Sequence, residues 1–172
     1  MQELVRLFVQ IALLRKGPQD LPVSASLLAV TAAAFFVINF LVSTVLPPIP
    51  GPWLYQLVLD VIFIFAWYAL VLRMVNRPER YLQTTTAIFG YQAVLAPLWV
   101  ATVWLWRQFA EDDTWSTPTL LLALGVLVWN VSANVRVVKA ALEWGVAASV
   151  ALVILQNITE QALLLFLFAR VL

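Results

Sequence analysis

The chain contains no cysteine and no histidine among its 172 residues. Without cysteine there are no disulfides, thiolate nucleophiles or Cys-ligated metals, and without histidine the commonest metal ligand and general base are missing. The sequence also lacks a glycine-rich phosphate loop and a Gly-x-Ser-x-Gly nucleophile motif. We therefore expect a protein that is not an enzyme and that holds no cofactor and no metal.

Charge is scarce as well. Only 11% of the residues are charged and 63% are hydrophobic, whereas a soluble domain carries about a quarter charged residues. The net charge is +1 and the basic residues are scattered, so no segment resembles the Lys/Arg-dense face that binds nucleic acid. The composition predicts a single membrane domain covered by lipid, with nucleic acid excluded as a partner.

Five apolar segments are long enough to cross a bilayer, which takes about 20 residues. They run over about 24–46, 53–75, 81–106, 119–138 and 144–168. Ser24 is a candidate N-cap for the first, and four prolines within 47–52 must end it. The predicted fold is all-α: a polytopic bundle of five transmembrane helices.

Residues 1–16 predict a short amphipathic helix with a polar stripe at Glu3, Arg6 and Gln10. It is too short to span, so we expect an interfacial helix on the cytoplasmic leaflet. A signal peptide is the competing interpretation, but 15–18 (Arg-Lys-Gly-Pro) replaces the expected small-residue cleavage site. Its three basic residues are fewer than the roughly four to eight typical of anionic-lipid sensors, which favours a plain anchor over lipid sensing or partner recruitment.

Lysine and arginine are distributed unequally beside the spans, and cytoplasmic loops are enriched in them. One side holds only Arg107 and Arg170. The other holds Arg6, Arg15, Lys16, Arg73, Arg77, Arg80, Arg136 and Lys139. This predicts a cytoplasmic N-terminus and an external C-terminus.

Two acids lie inside predicted spans, Asp60 and Glu160, the latter within the polar stretch 156–161. An ionisable group in hydrocarbon is costly and indicates a functional site by default. At about 1.5 Å per residue, they lie roughly 10 Å and 12 Å from the outer ends of their spans. If spans one, two and five are neighbours, a polar cluster can form in the outer half. Its candidate members are Asn39, Gln56, Asp60, Arg107, Gln156, Asn157 and Glu160.

Two interpretations of this cluster stay open. Carboxylates held close together can share a proton or a cation, which favours an ion, proton or small-solute site. Alternatively, Asp60 and Glu160 only join helices, either protonated or paired with Arg107. A catalytic pair facing across water has no support from the flanking residues.

Other polar residues predict helix packing. Asn130 and Asn134 share one face at i, i+4, which favours hydrogen bonds between helices. Tyr91 and Gln92 precede Pro97, which is expected to kink its helix and free a carbonyl. These three residues either line a cavity or only shape packing.

The order of features resembles the Yip family, five-span membrane proteins first known as interactors of Rab-type GTPases, with many bacterial members. The matching parts are the amphipathic lead-in, the basic break before span three, Gly90-Tyr91 followed by Pro97, and Trp129 ahead of Arg136 and Lys139. The Asp-Leu-Tyr-Gly-Pro motif of eukaryotic members is missing, so Rab binding is not implied. The resemblance covers nearly the whole chain. It implies a compact five-helix bundle in a bacterial inner membrane, whose relatives have no established activity.

Together these features predict a non-enzymatic inner-membrane scaffold or accessory protein of Yip type. Its expected partners are membrane lipid and either another membrane protein or further copies of itself. The alternative is a small ion, proton or solute channel or carrier that uses the intramembrane acids.

Overall fold

A computed structural model describes residues 2–45 and 53–168, and within them all regular structure is helical. The predicted all-α bundle is confirmed, with five helices long and apolar enough to span a membrane. The helices are α1 (Gln2–Ala12), α2 (Ala25–Val45), α3 (Trp53–Met74), α4 (Tyr81–Gln108), α5 (Ser116–Leu142) and α6 (Val146–Phe168). The proline-rich segment 47–52 and Arg170, both used in the predictions, lie outside the described residues.

The helix ends follow local sequence chemistry. Ser24 caps α2 as predicted, because its hydroxyl accepts a hydrogen bond from the Leu27 amide at 3.2 Å. Helix α5 begins at Ser116 and ends at Leu142, whereas the predicted span covered only 119–138. Pro118 misled the prediction, since proline is tolerated in the first turn of a helix, where its missing N–H would be unsatisfied anyway.

Helix α4 lies at the centre of the bundle. It packs against α1, α2, α3 and α5, and almost every residue from 84 to 96 is buried. Helix α6 packs against α3 and α5 and is mostly exposed. We call the end of the bundle formed by α1, the turn at 75–80 and the turn at 143–145 the basic end. The opposite end carries the α4–α5 turn with its acidic residues 111–113.

Helix α1 is held against the bundle by its apolar face. Phe8, Ile11 and Ala12 are 7%, 1% and 2% exposed, and α1 packs on α4 and α5. Gly90 of α4 makes room for it, because a Cβ atom at that position would overlap the Phe8 ring. The indole nitrogen of Trp129 donates to the Ala12 carbonyl at 2.7 Å, which satisfies one of the free carbonyls at the end of α1. Helix α1, predicted to be interfacial, therefore packs on α4 and α5.

Candidate functional site

The two intramembrane acids face each other. Asp60 lies on α3 and Glu160 on α6, and these helices are packed together. Both side chains line one pocket, and both are half-buried. Two acids that the sequence placed at similar depth are thus brought together by the fold.

The acid pair lies in a pocket of about 430 Å³, which we call the acid pocket. Four helices contribute to it: α2, α3, α4 and α6. Its polar lining consists of Asn39, Ser43, Gln56, Asp60, Glu160 and Gln161, and its apolar lining includes Trp53 and Trp99. None of the described residues that line it is basic. The carboxyl groups therefore have neutral amides and a hydroxyl as neighbours.

Helix periodicity explains how the lining residues converge. Gln56 and Asp60 are four residues apart on α3 and share a face. On α2, the Asn39 amide nitrogen donates to the Phe35 carbonyl at 2.8 Å, which leaves its carbonyl oxygen free to accept or to coordinate. Glu160 and Gln161 come from α6, opposite Asp60. The pocket therefore presents carboxyl and amide oxygens to whatever enters it.

Three predicted members of the cluster lie elsewhere. Gln156 is four residues, about 6 Å, from Glu160 along α6 and is buried against Tyr68 instead. Asn157 is exposed, and its amide donates to the Val153 carbonyl at 2.7 Å. Arg107 is exposed at the end of α4, roughly 12 Å beyond Trp99 along the helix. Arg107 is therefore not the counterion of either acid.

The ion pairs of the described residues are both at the basic end. Arg77 and Arg80 each pair with Glu143, Arg77 at 2.6 Å. Hydrogen bonds from Arg77 and then Arg80 lower the pKa of Glu143 to about 2. Arg80 also donates to the Ala140 and Ala141 carbonyls at 2.9 Å and 3.1 Å, which caps the end of α5. In the sequence, these arginines indicate orientation and form the basic break before span three, whereas Glu143 was not singled out.

A second polar cluster lies next to the acid pocket, nearer the basic end. The Tyr68 hydroxyl is 2.9 Å from both the Asn134 and the Gln156 side-chain oxygens, and all three residues are buried. This cluster joins α3, α5 and α6. Asn134 makes the interhelical contact predicted for it, whereas Asn130 is half-buried one turn away. Sequence reasoning missed Tyr68, since a lone tyrosine in an apolar span gives no signal of its own.

Tyr91, Gln92 and Pro97 do not line the acid pocket. Tyr91 is completely buried, Gln92 is half-buried and Pro97 is exposed. The chain is helical on both sides of Pro97, where the Ala93 carbonyl loses its helical donor. Their placement fits the packing interpretation.

The described residues contain no group of three or more His, Cys, Asp or Glu side chains that could hold a metal ion. Comparison with protein-family models, curated proteins and solved structures finds no match to this chain. Functional inference therefore depends on the geometry of the acid pocket and the basic end.

Proposed function

We propose that the protein binds a proton or a small monovalent cation in the acid pocket and acts as a small channel or carrier. One observation carries this proposal: Asp60 and Glu160 line the same pocket, and none of the described residues that line it is basic. A buried carboxylate needs a compensating partner, because removing an unpaired charge from water is expensive. A proton or a cation supplies that partner here.

The rest of the pocket suits such a ligand. Asn39 and Gln56 add neutral oxygen ligands, the type that hard cations prefer. A volume of about 430 Å³ exceeds that of a bare ion and leaves room for some of its water, whose share of liquid volume is about 30 Å³ per molecule. Two carboxylates can therefore bind one charge without complete dehydration of the ion.

Flux through proteoliposomes tests the proposal. Purified protein would be reconstituted with a pH-sensitive dye and, separately, with a cation-sensitive dye inside the vesicles. We expect protein-dependent uptake of protons or cations that is lost in the D60N/E160Q variant and kept in E111Q, which removes an exposed acid of the α4–α5 turn that does not line the acid pocket. Uptake that is absent from the wild type, or unchanged in D60N/E160Q, would contradict the proposal.

A second candidate is an accessory role of Yip type, supported by two observations. Gly90 and Trp129, two of the residues behind the family resemblance, both hold α1 in place. In addition, only 11% of the most apolar 18-residue stretch of α6 is buried, and Asn157 is exposed on this helix. A polar side chain facing lipid is costly, which favours a partner's transmembrane helix against α6.

Copurification distinguishes the accessory role from a channel or carrier that acts without a partner. The protein would be extracted from bacterial inner membranes in native lipid particles, with a photoreactive residue at Ile158, which is 60% exposed on α6. A stoichiometric crosslinked membrane protein, missing when the probe is at buried Val153, is the expected result. Particles that contain only this chain and lipid would count against a partner.

The proposed orientation is directly measurable, because the chain has no cysteine to give background labelling. Single cysteines at Glu3 and at Asp113 would be labelled with an impermeant maleimide in intact cells. We expect labelling at position 113 only, since the positive-inside rule puts the basic end in the cytoplasm. Labelling at position 3 only would show that the protein has the opposite orientation.

A further inference from the structure

Four basic side chains from two separate segments meet at one pocket of the basic end. Arg15 and Lys16 follow α1, whereas Arg136 and Lys139 lie in the last turns of α5. All four line a pocket of about 420 Å³ and are exposed. We call this the cationic pocket. The expectation about lipid binding used only the basic residues at and just after α1, and the fold adds the two from α5.

The acids that share this pocket are already engaged. The Asp20 carboxylate accepts a hydrogen bond from the Gly17 amide at 2.9 Å, and Glu143 is paired with Arg77 and Arg80. No ion pair among the described residues involves the four cations. The cationic pocket therefore has a surplus of positive charge available to an anion.

The position of the pocket indicates what kind of anion it suits. Trp144 lines it, is half-buried and packs on the core two residues before α6 begins. Tryptophan at the start of a span typically lies at the level of lipid headgroups. Val146, at the start of α6, is 56% exposed and offers apolar surface beside the pocket. An anion with an attached acyl chain fits this combination of charge and apolar surface.

We propose that the cationic pocket binds the phosphate-bearing headgroup of an anionic phospholipid. Arginine and lysine both bind phosphate, arginine through a planar fork that can bind two oxygens at once. Basic pockets between transmembrane helices bind anionic headgroups, and four basic residues reach the lower end of the usual range. The bound lipid connects the segment after α1 with the end of α5.

Lipid titration in nanodiscs and by native mass spectrometry tests this site. The charge-removing variant is R136Q/K139Q, and R107Q at the opposite end is its matched control. We expect wild type and R107Q to retain phosphatidylglycerol in preference to phosphatidylcholine, and R136Q/K139Q to bind phosphatidylglycerol about thirtyfold more weakly. Equal binding by wild type and R136Q/K139Q, or no preference between the two lipids, would overturn the assignment.

Two further measurements are needed. One distinguishes the loss of charge from misfolding, and the other distinguishes a lipid headgroup from free phosphate as the ligand. The R136K/K139R variant keeps both charges, so it is expected to bind like the wild type, and loss of binding there would show that the site does not depend on charge. Inorganic phosphate is expected to raise the melting temperature less than phosphatidylglycerol does. An equal or larger rise with inorganic phosphate would show a site for a soluble anion and contradict the lipid assignment.

Discussion

At the basic end, the acidic side chain of Glu143 is held by two arginines, one of which also caps α5. In the acid pocket, the other described residues that line the space around Asp60 and Glu160 are all uncharged. The exposed acid thus has strong partners, whereas the half-buried acids have none of opposite charge among the described lining residues. This is the reverse of what stability alone would favour, since burial makes a missing partner more costly.

Under the proposed function, this difference separates a charge that stabilises the structure from two acids that bind a ligand. The contacts of Glu143 close a turn and fix the end of a helix, so their removal changes stability only. Two carboxyl groups held side by side in the acid pocket lower the stability of the fold. Functional sites commonly contain such destabilising arrangements. The two regions are therefore expected to respond differently to mutation.

The largest effect on stability is expected from Gly90→Ala, where α1 packs on α4. The added methyl overlaps the Phe8 ring, and overpacking of this kind costs about 1–3 kcal/mol. Thermal unfolding in detergent measures it. Gly125→Ala is the matched control, because a Cβ there meets nothing within 4 Å, and it is expected to be neutral or slightly stabilising.

A double-mutant cycle sharpens this prediction. In a Phe8→Ala background the ring is gone, so Gly90→Ala is expected to lose most of its cost. An unchanged cost in that background would show that α1 does not rest on Gly90.

A smaller effect is expected from Tyr68→Phe, next to the acid pocket. The variant removes the hydroxyl that lies between Asn134 and Gln156 and leaves their buried amides under-satisfied, which we expect to cost about 1 kcal/mol. Tyr55→Phe, at a residue 69% exposed, is the control for thermal unfolding. Equal melting temperatures for the two variants would rule out a structural role for the cluster.

The smallest effect is expected from Glu143→Gln, because the carboxylate is exposed and its ion pairs are screened by water. Its pKa falls from an ordinary 4.5 to about 2 in the fold. A lowered carboxyl pKa stabilises the folded state above the unfolded pKa, and this contribution is lost as the pH falls towards the folded pKa. The melting-temperature gap between wild type and E143Q is therefore expected to be constant above pH 4.5 and to shrink towards pH 2. A gap that does not change over this range would show that the ion pairs add no stability.

The sequence predicted the number and approximate bounds of the spans because hydropathy and length depend on the chain alone. It also placed Asp60 and Glu160 at similar depth, since depth follows from the rise per residue. It could not predict which way each side chain points around its helix. For that reason Asn157 was expected in the cluster and is exposed on α6.

Contacts between distant segments could not be predicted from the sequence either. Arg107 was expected near the acids because it ends a neighbouring span, but α4 carries it past the acid pocket. For lipid binding, Arg15 and Lys16 were considered without Arg136 and Lys139, although the fold places all four at one pocket. Such pairings depend on helix packing, which local patterns do not encode.

Charge displacement on a solid-supported membrane tests the central claim most directly, because it detects a cation entering the acid pocket even without net transport. Protein in liposomes would receive rapid jumps in proton or sodium concentration. A transient current is expected from the wild type and from E143Q, and none from D60N/E160Q. Identical currents from wild type and D60N/E160Q, or no current from either, would contradict the claim that these two acids bind a proton or a cation.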